Sequence, residues 1–484
     1  MPGVSTTPVE DWLLRAIEEG VESVCLFADA VGTPDRTRAT TARLRAARPD
    51  LLIATDEEGG DVTRLQPLIG SSLLSPLALG YIDDTRVTRA SGRVLGRMLK
   101  AAGVDWTFAP VADVNVDPRN PVIGVRSFGG DALKVAEHVG AMVAGIQEVG
   151  VAATAKHFPG HGDTHVDSHE ALPTLHGDVA LLDTRELAPF WSAIAEEVAA
   201  VMTGHLLVPS LDDGAPASLS SSITTDLLRG RLGFHGVIVT DAVEMGAVAG
   251  TDGAGLGPAV VAALRAGADV VCLGAARQRD AFDVAVAAVT AALADGELDR
   301  QTLARAAERR QSLRTRSRAV LAVSNEETDD LEMLARACHR SLAVAGDVRV
   351  GTRGVDVLRI APAPGYAAGD TRWGVAEHLS AAGLDVQTVS GLPPEDSRDL
   401  VLEVRDAWRV PSLTDLLDSA LARRPDAVVV DMGWPTPGLP PCRGSVTTHG
   451  AGDLASALAA CALTGTDPYD LTTTILATTR LEFP

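Results

Sequence analysis

The sequence predicts an α/β protein in which a (β/α)8-type TIM barrel, regular or irregular, is followed by a smaller α/β sandwich domain. Three observations support this prediction. Short apolar runs alternate with helical segments from about residue 20 to residue 275. Polar residues follow most of these runs, and the composition of the chain changes beyond residue 275.

The apolar runs are typical of buried parallel strands, because a strand that is covered on both faces has no polar side. Segments long enough for right-handed crossover helices lie between them, at Thr85 to Ala102, Ala132 to Glu148 and Ala180 to Glu197. Seven strands can be recognised and an eighth cannot. The seven runs are 21–27, 51–55, 104–111, 151–155, 199–203, 237–240 and 268–273.

Alternation of strands and helices would also fit a doubly wound open sheet, so the barrel is inferred from the polar residues at the strand ends. In a barrel the carboxyl ends of the strands converge on one mouth, where active sites are found. In an open sheet they would spread along a crevice. The polar clusters are 56–60, 113–126, 156–169, His205 and 241–245.

The part of the chain beyond residue 275 begins with helix formers at 281–293 and a basic helix at 299–320. A hydrophilic stretch at 324–327 follows, and we place the domain boundary there. The predicted catalytic barrel is therefore residues 1–325, and residues 326–484 form the second domain. Further strands are predicted in that domain at 355–360, 384–389 and 427–431, with helices between them.

Composition excludes several classes of partner. Lys and Arg number 42 against 64 Asp and Glu, and the net charge of −22 would repel a nucleic acid. The five cysteines are scattered and predict neither a disulfide framework nor a structural zinc site. No secretory signal and no apolar run of about 18 residues is found, so we expect a cytoplasmic protein without a membrane partner.

The stretch from Lys156 to His169, KHFPGHGDTHVDSH, is the most informative of the chain. Its histidines lie four residues apart, and a helix would bring them to one face as metal ligands. Pro159, Gly160 and Gly162 oppose a helix, because proline and glycine are the poorest helix formers. We therefore interpret the stretch as a loop, which leaves catalysis as the favoured role beside a metal site or a structural loop.

This loop resembles the KHFPGHGDTxxDSH motif of glycoside hydrolase family 3, and within it the NagZ-like β-N-acetylglucosaminidases (β-N-acetylhexosaminidases). Other segments resemble motifs of the same family in the same order along the first 250 residues. They are TDEEGGDVTR at 55–64, FAPVAD at 108–113, VIGVRSF at 122–128, VMTGH at 201–205 and GVIVTDAVEM at 236–245.

Three departures from the family pattern stand out. Glu57 replaces the usual Gln, Asp61 replaces Arg, and Ala242 with Val243 replaces the Asp-Leu pair after the nucleophile. The change at position 242 removes a carboxylate from the position directly after the nucleophile. These departures leave chitin fragments or plain glucosides open as substrates.

The resemblance implies a retaining glycosidase that removes terminal non-reducing β-N-acetylglucosamine, a small glycoside substrate, without a cofactor or a metal. It assigns the nucleophile to Asp241 and the acid/base to His169, held by Asp167. A neighbouring carboxylate can keep a histidine protonated near neutral pH, so that it can donate its proton. The residues implied in sugar binding are Asp56, Arg64, Arg126, Lys156 and His157. His205, Asp113 and Glu244 are left as supporting or structural residues.

Three alternatives remain open. Phosphate in place of water as the acceptor would make the protein a glycoside phosphorylase, since a histidine that has given up its proton does not repel phosphate as a carboxylate would. The His/Asp loop could serve a metal-dependent hydrolase. A sugar-binding protein without activity is disfavoured, because binding alone needs no proton donor. No oligomeric state is predicted.

Overall fold

The computed structural model describes residues 1–27, 30–166, 171–250, 253–275, 278–317, 326–351, 353–365, 369–394 and 398–479. Its strands fall into two groups. In the first part of the chain they are β1 (Gly3–Val4), β2 (Ser23–Leu26), β3 (Leu52–Thr55), β4 (Trp106–Thr107), β5 (Thr154–Phe158), β6 (Ala200–Thr203) and β7 (Val237–Thr240). In the second part they are β8 (Ala343–Gly346), β9 (Val355–Ile360), β10 (Val386–Val389), β11 (Asp399–Val404), β12 (Val428–Asp431) and β13 (Gly444–Thr447).

The first group is arranged as a ring of parallel strands. β1 to β4 and β5 to β7 form two ladders in chain order. A parallel bridge between Trp106 and Ala152 joins the two ladders, and a parallel bridge between Val239 and Val270 adds a segment at 270–273 beside β7. The N–H of Leu273 donates to the carbonyl oxygen of Met1 at 3.0 Å, which returns the ring to β1. The predicted TIM-type α/β fold is confirmed.

The barrel strand that the sequence pattern did not predict is β1. It comprises Gly3 and Val4 alone, too short for an apolar run to be recognised. Along the longer strands the side chains alternate as β geometry requires. Leu52 and Ala54 belong to the cluster inside the ring, whereas Ile53 packs outward against the helices.

The helices that follow the barrel strands cover the outside of the ring. None of the described helices is both long enough and apolar enough to cross a membrane. The helices are α1 (Asp11–Glu19), α2 (Pro34–Ala47), α3 (Pro76–Ile82), α4 (Thr85–Ala101), α5 (Ala132–Glu148), α6 (Val179–Leu181), α7 (Ala188–Ala195), α8 (Gly246–Ala249), α9 (Leu256–Ala266), α10 (Gln278–Ala294) and α11 (Arg300–Ser317).

The single helix predicted over residues 180–197 is wrong in detail. The chain forms α6, then a π-helical turn at Leu182–Glu186, and then α7. Pro189 lies in the first turn of α7. Backbone N–H groups in the first turn of a helix have no intrahelical acceptor, so proline, which lacks an N–H, loses no hydrogen bond there. A second π-helical segment, Ser222–Arg231, precedes β7.

The second part of the chain is a three-layered α/β domain. Its sheet has the order β10-β9-β11-β12-β13-β8, with β8 antiparallel at one edge. Leu379 and Ala459 lie in the apolar cluster on one face, and Leu417 and Leu421 lie in the cluster on the other. Its helices are α12 (Glu326–Ala337), α13 (Ala376–Ala381), α14 (Pro411–Arg423), α15 (Asp453–Thr464) and α16 (Pro468–Ala477).

Helix α12 packs on the barrel although it follows the predicted boundary. Its Asp330, 2% exposed at the side chain, forms ion pairs with Arg93 and Arg97 of α4. The boundary between residues 325 and 326 stays a prediction, because residues 318–325 lie outside the described residues.

Candidate active site

A cavity of about 570 Å³ opens at the carboxyl ends of the barrel strands. This volume lies in the usual range of small-molecule sites, about 300–1,000 Å³. The six predicted site residues that the structure describes all line it: Asp56, Arg64, Arg126, Lys156, His157 and Asp241. Lys156 and His157 lie at the end of β5 and the others follow β3, β4 or β7, and the convergence of the strand ends brings them together.

A network of four charged side chains forms one wall of the cavity. The Lys156 Nζ atom lies 2.7 Å from a carboxylate oxygen of Asp56 and 2.7 Å from Oε1 of Glu58. Arg126 binds Glu58 with two parallel hydrogen bonds of 2.9 and 2.7 Å. Such bidentate pairs fix both side chains, because two bonds define an orientation as well as a distance.

Glu58 is a site residue that the sequence did not reveal. Burial disfavours its charged form, but the charges of Arg126 and Lys156 outweigh burial and hold the pKa of Glu58 well below its usual range. Glu58 is therefore ionised. Lys156 remains charged for the complementary reason: burial lowers its pKa, and the carboxylates of Asp56 and Glu58 raise it by more.

This network offers donors and acceptors to a sugar. The Asp56 carboxylate is 20% exposed, whereas the side chains of Lys156 and Glu58 are almost fully buried behind it. A carboxylate can accept hydrogen bonds from two hydroxyl groups at once, and ammonium and guanidinium groups donate charge-assisted ones. The wall is thus suited to a polyhydroxylated ligand.

Asp113 organises the beginning of the catalytic loop, which here means residues 156–169. Its Oδ1 atom accepts the backbone N–H groups of His157 and His161 at 3.1 and 2.7 Å. Its Oδ2 atom lies 2.8 Å from Nδ1 of His157. Burial would raise the pKa of Asp113, but the two histidines lower it overall, so Asp113 is ionised and fixes the His157 ring.

His161 lines the same cavity and was not among the predicted site residues. Its Nδ1 atom lies 2.8 Å from the Thr164 hydroxyl, which itself donates to the His161 carbonyl oxygen. Burial lowers the pKa of His161 to about 4, so its ring is neutral. The buried Nε2 atom has no hydrogen-bond partner among the described residues, and it can accept a hydrogen bond from a ligand.

The three described histidines of the loop each have a polar partner at one ring nitrogen. Asp113 and Thr164 occupy Nδ1 of His157 and His161, and His165 pairs with Asp117 at 2.8 Å. Over the described ranges of the chain, no group of three or more His, Cys, Asp or Glu side chains could hold a metal ion. Asp167 and His169 lie outside the described residues.

Asp241 directly follows β7 and lines the cavity. Hydrogen bonds hold both its backbone and its side chain. Its N–H donates to the carbonyl oxygen of Thr203 on β6 at 2.9 Å. Its Oδ1 atom accepts the N–H of Ala242 at 2.8 Å. The buried His205 bonds to Ser218 at 2.7 Å and to the carbonyl oxygen of Ala242 at 3.1 Å. His205 therefore supports the position of Asp241 from behind.

Glu244 also lines the cavity, and its carboxylate binds the backbone of a neighbouring segment. Its carboxylate accepts the N–H of Ala275 at 2.6 Å, which ties the segment after β7 to the segment after residues 270–273. The three residues left as supporting ones, Asp113, His205 and Glu244, thus each hold backbone at the mouth of the barrel.

Comparison with known proteins gives the family. The sequence pattern described as "Glycosyl hydrolase family 3 N terminal domain" matches residues 13–313. The chain belongs to glycosyl hydrolase family 3. The resemblance inferred from the catalytic loop is confirmed.

Individual proteins are similar over much of the chain. A beta-hexosaminidase A from Pseudoalteromonas piscicida is 33% identical over 367 residues, 69% of this chain and 60% of that protein's length. A beta-hexosaminidase from Pseudomonas aeruginosa (strain LESB58) is 35% identical over 293 residues, 59% of this chain and 84% of that protein. A family 3 beta-N-acetylglucosaminidase from Paenibacillus sp. str. FPU-7 has a TM-score of 0.83 and 30% identity, over 96% of this chain and 94% of its own. These comparisons support a glycosidase.

The departures from the family 3 pattern lie in different environments. Ala242 lines the cavity, whereas Glu57 and Asp61 are buried and are not part of its wall. Glu57 Oε2 accepts the N–H groups of Arg64 and Leu65 at 2.7 and 2.9 Å and the hydroxyl of Thr63 at 3.0 Å. Asp61 faces the second domain. Position 242 is therefore the departure that bears directly on a bound ligand.

Replacing Glu57 by the family's usual glutamine is expected to stabilise the protein at alkaline pH. Burial raises the pKa of Glu57 to about 7, above its ordinary value of 4.5. The stability that the neutral carboxyl contributes is therefore present at low pH and is lost as pH rises through about 7. A glutamine keeps the acceptor oxygen and never ionises, so Glu57→Gln avoids up to about 3 kcal/mol of destabilisation at pH 8.

Thermal melting of both proteins between pH of about 5 and about 8.5 tests this expectation. The difference in Tm between Glu57→Gln and the wild type should grow with pH. A difference that is constant over this range would contradict the proposed titration of Glu57.

Proposed function

We propose that this family 3 protein is a retaining β-N-acetylhexosaminidase that releases terminal non-reducing N-acetylglucosamine from small glycosides. The observation that carries the proposal is that the Asp241 carboxylate lines the same cavity as the network of Asp56, Glu58, Arg126 and Lys156. A candidate nucleophile thus shares one cavity with groups suited to hold the hydroxyls of a sugar ring. The names of the similar proteins supply the N-acetylglucosamine specificity.

In the first step the Asp241 carboxylate attacks the anomeric carbon and the bond from this carbon to the leaving oxygen breaks. The protonated imidazole of His169 gives its proton to that oxygen, and the aglycone leaves as an alcohol. The sugar is now an ester of Asp241. Asp167 is proposed to orient the His169 ring and to favour its charged form.

In the second step the neutral His169 ring takes a proton from water while the water oxygen attacks the anomeric carbon. The bond to Asp241 breaks, and the carboxylate and the imidazolium are restored. Two displacements at one carbon retain the β configuration. No cofactor is needed in this scheme.

Terminal residues of cell-wall fragments are the substrates that the family resemblance favours, with recycling of peptidoglycan in the cytoplasm as the setting. The cavity has a volume of about 570 Å³, which suits one terminal sugar at a chain end rather than an internal site. Ala242 leaves space where the family pattern has a carboxylate, so glucosides and chitin fragments are included in the test.

A panel of p-nitrophenyl β-glycosides tests the proposal. We expect turnover of the N-acetylglucosaminide above the glucoside, release of the β anomer of the free sugar as seen by NMR, and unchanged rates with EDTA. Formation of the sugar 1-phosphate in phosphate buffer would replace the hydrolase by a phosphorylase. Loss of activity in EDTA would favour the metal-dependent hydrolase.

A further inference from the structure

One short segment of the second domain, residues 405–409, follows β11 and contacts two loops of the cavity. We propose that Arg405 and Arg409 of this segment are positioning residues that hold the sugar-binding loops of the barrel. The first loop, residues 56–64, carries Asp56, Glu58 and Arg64. The second, residues 117–126, carries Arg126.

Arg405 binds the first loop. Its Nη2 atom lies 2.5 Å from Oδ2 of Asp61, whose side chain is 3% exposed. The Oδ1 atom of Asp61 accepts the N–H of Ala451 at 2.7 Å, also from the second domain. Burial raises the pKa of Asp61, and Arg405 opposes this effect. An ion pair this deeply buried is costly to break, because removal of one partner leaves the other charge without compensation.

Asp61 transmits this contact to the cavity over a short distance along the chain. It lies three residues from Glu58 and three from Arg64, both of which line the cavity. The loop has little freedom to relax, since Glu57 accepts the N–H of Arg64 and the N–H of Gly60 donates to Ser71. A shift of Asp61 would therefore move the residues that contact the ligand.

Arg409 binds the second loop. Its Nη2 atom donates to the carbonyl oxygen of Pro118 at 2.9 Å and lies against Gly124. Gly124 has a φ of 48°, and a Cβ atom there would be 3.3 Å from the guanidinium, so glycine permits the close approach. Within the loop, Asn120 donates to the carbonyl oxygen of His161 at 2.7 Å. Arg409 thus supports both Arg126 and the start of the catalytic loop.

The place of these contacts in the second domain is also informative. After β9 the chain first forms β10 on one side of it and then crosses over to form β11 on the other side. The place between β9 and β11 is therefore a topological switch point. Open α/β sheets bind ligands in the crevice at the carboxyl ends of such strands. Here Arg405 leaves the end of β11 and meets Asp61 of the barrel. The position that holds a ligand in other α/β domains is used here to hold a loop of the barrel.

Other contacts along the same surface make the arrangement rigid. The Ser75 hydroxyl donates to the carbonyl oxygen of His449 at 2.5 Å, and Gly450 packs so closely that a Cβ atom there would be 2.3 Å from Ser75 Oγ. The N–H of Arg372 donates to the carbonyl oxygen of Pro67 at 2.8 Å. A fixed surface is what a positioning role requires, because a mobile partner could not hold the loops in place.

The kinetic part of this inference rests on the proposed function, whereas the structural part does not. Substitutions at Arg405 or Arg409 should weaken sugar binding in the ground state and the transition state alike, which raises KM and leaves kcat little changed. Asp241 is expected to keep its position, because hydrogen bonds to β6 and to Ala242 hold it within the barrel.

The test uses the full-length chain with the variants Arg405→Met, Arg405→Lys, Arg409→Met and Asp61→Asn. Arg443→Ala is the matched control, since Arg443 pairs with the buried Asp399 inside the second domain at 3.0 Å, away from the barrel. Two readouts are taken below the melting temperature: hydrogen–deuterium exchange of residues 57–66 and 117–126, and KM and kcat for the p-nitrophenyl N-acetylglucosaminide.

We expect faster exchange in residues 57–66 for Arg405→Met and Asp61→Asn, and in residues 117–126 for Arg409→Met. KM should rise about 5- to 30-fold with kcat within about threefold of the wild type. Arg405→Lys should recover part of the loss, and adding Asp61→Asn to Arg405→Met should change KM by less than about twofold, because the pair acts as a unit. Arg443→Ala should match the wild type in both readouts.

Unchanged exchange in these loops together with unchanged KM would overturn the proposed positioning role, even with an active wild type. Faster exchange in the loops of a chain that cleaves none of the glycosides would support the positioning role and reject the proposed function. If Arg405→Met does not fold, Arg405→Lys and Arg409→Met give the same comparison.

Discussion

Asp241→Gly is expected to lower kcat for the p-nitrophenyl N-acetylglucosaminide by about 10⁴-fold or more, the scale seen when a covalent nucleophile is removed. Without this carboxylate no glycosyl ester forms, and the hydrogen bonds that hold the sugar remain. KM should therefore not rise. Kinetics with the purified variant measure both constants, and circular dichroism checks that the variant is folded.

Azide provides a specific control for this prediction. In Asp241→Gly the small anion can occupy the vacated space and attack the anomeric carbon in a single displacement, which gives a glycosyl azide of inverted, α configuration. Glu244→Gln is the matched variant, because Glu244 lines the same cavity and bonds to Ala275. Undiminished turnover by Asp241→Gly, or an equal loss with Glu244→Gln and no azide product, would remove Asp241 from its role.

The barrel could be predicted from the sequence because its strands are buried on both faces, and such strands appear as continuous apolar runs. β1 could not, since Gly3 and Val4 are too few residues to form a run. In the second domain β9 was predicted with its observed bounds, whereas β8, β11 and β13 were missed. Three of the four residues of the edge strand β8 are exposed, and its sequence Ala-Val-Ala-Gly has no apolar alternation.

The cavity residues could be predicted because they stand in motifs, not because their contacts can be read from the chain. In the sequence Asp56-Glu57-Glu58 three acidic residues are adjacent, and nothing in their order tells which face the cavity. The structure separates them: Asp56 and Glu58 bind Lys156, and Glu57 accepts backbone N–H groups. The orientations of Asp56 and Glu58 are set by Lys156 and Arg126, which lie far away along the chain, 100 residues from Asp56 to Lys156 and 68 from Glu58 to Arg126.

Asp61 illustrates a departure whose cause lies outside the barrel. From the sequence, its difference from the family's arginine leaves the substrate open. The structure gives it another partner, because Arg405 of the second domain supplies the positive charge at this place. The two residues are separated by more than 300 positions and belong to different predicted domains, so no local pattern could relate them.

Lys156→Met is expected to lower kcat/KM by about 100-fold or more, because it removes a charge-assisted donor from the cavity and disorders the charged network of its wall. Lys156 is the ammonium between the carboxylates of Asp56 and Glu58. Without it, Arg126 alone compensates two buried or half-buried negative charges. Loss of one partner from a buried ion pair also costs about 3–5 kcal/mol of folding stability, so Tm should fall as well.

Lys134→Met separates the effect on the site from a general loss of an ion pair. Lys134 binds Asp83 at 3.1 Å on the surface, where such pairs contribute about 0–1 kcal/mol, and this variant should keep wild-type activity and Tm.

The pH dependence of stability provides a further check on Lys156→Met. Glu58 loses a charge that holds its pKa down, so it should take up a proton at a higher pH than in the wild type and thereby relieve its repulsion with Asp56. The stability of Lys156→Met relative to the wild type should therefore improve as pH falls. A deficit in Tm that is the same at every pH, together with kcat/KM within about threefold of the wild type, would show that Lys156 neither contributes to sugar binding nor holds down the pKa of Glu58.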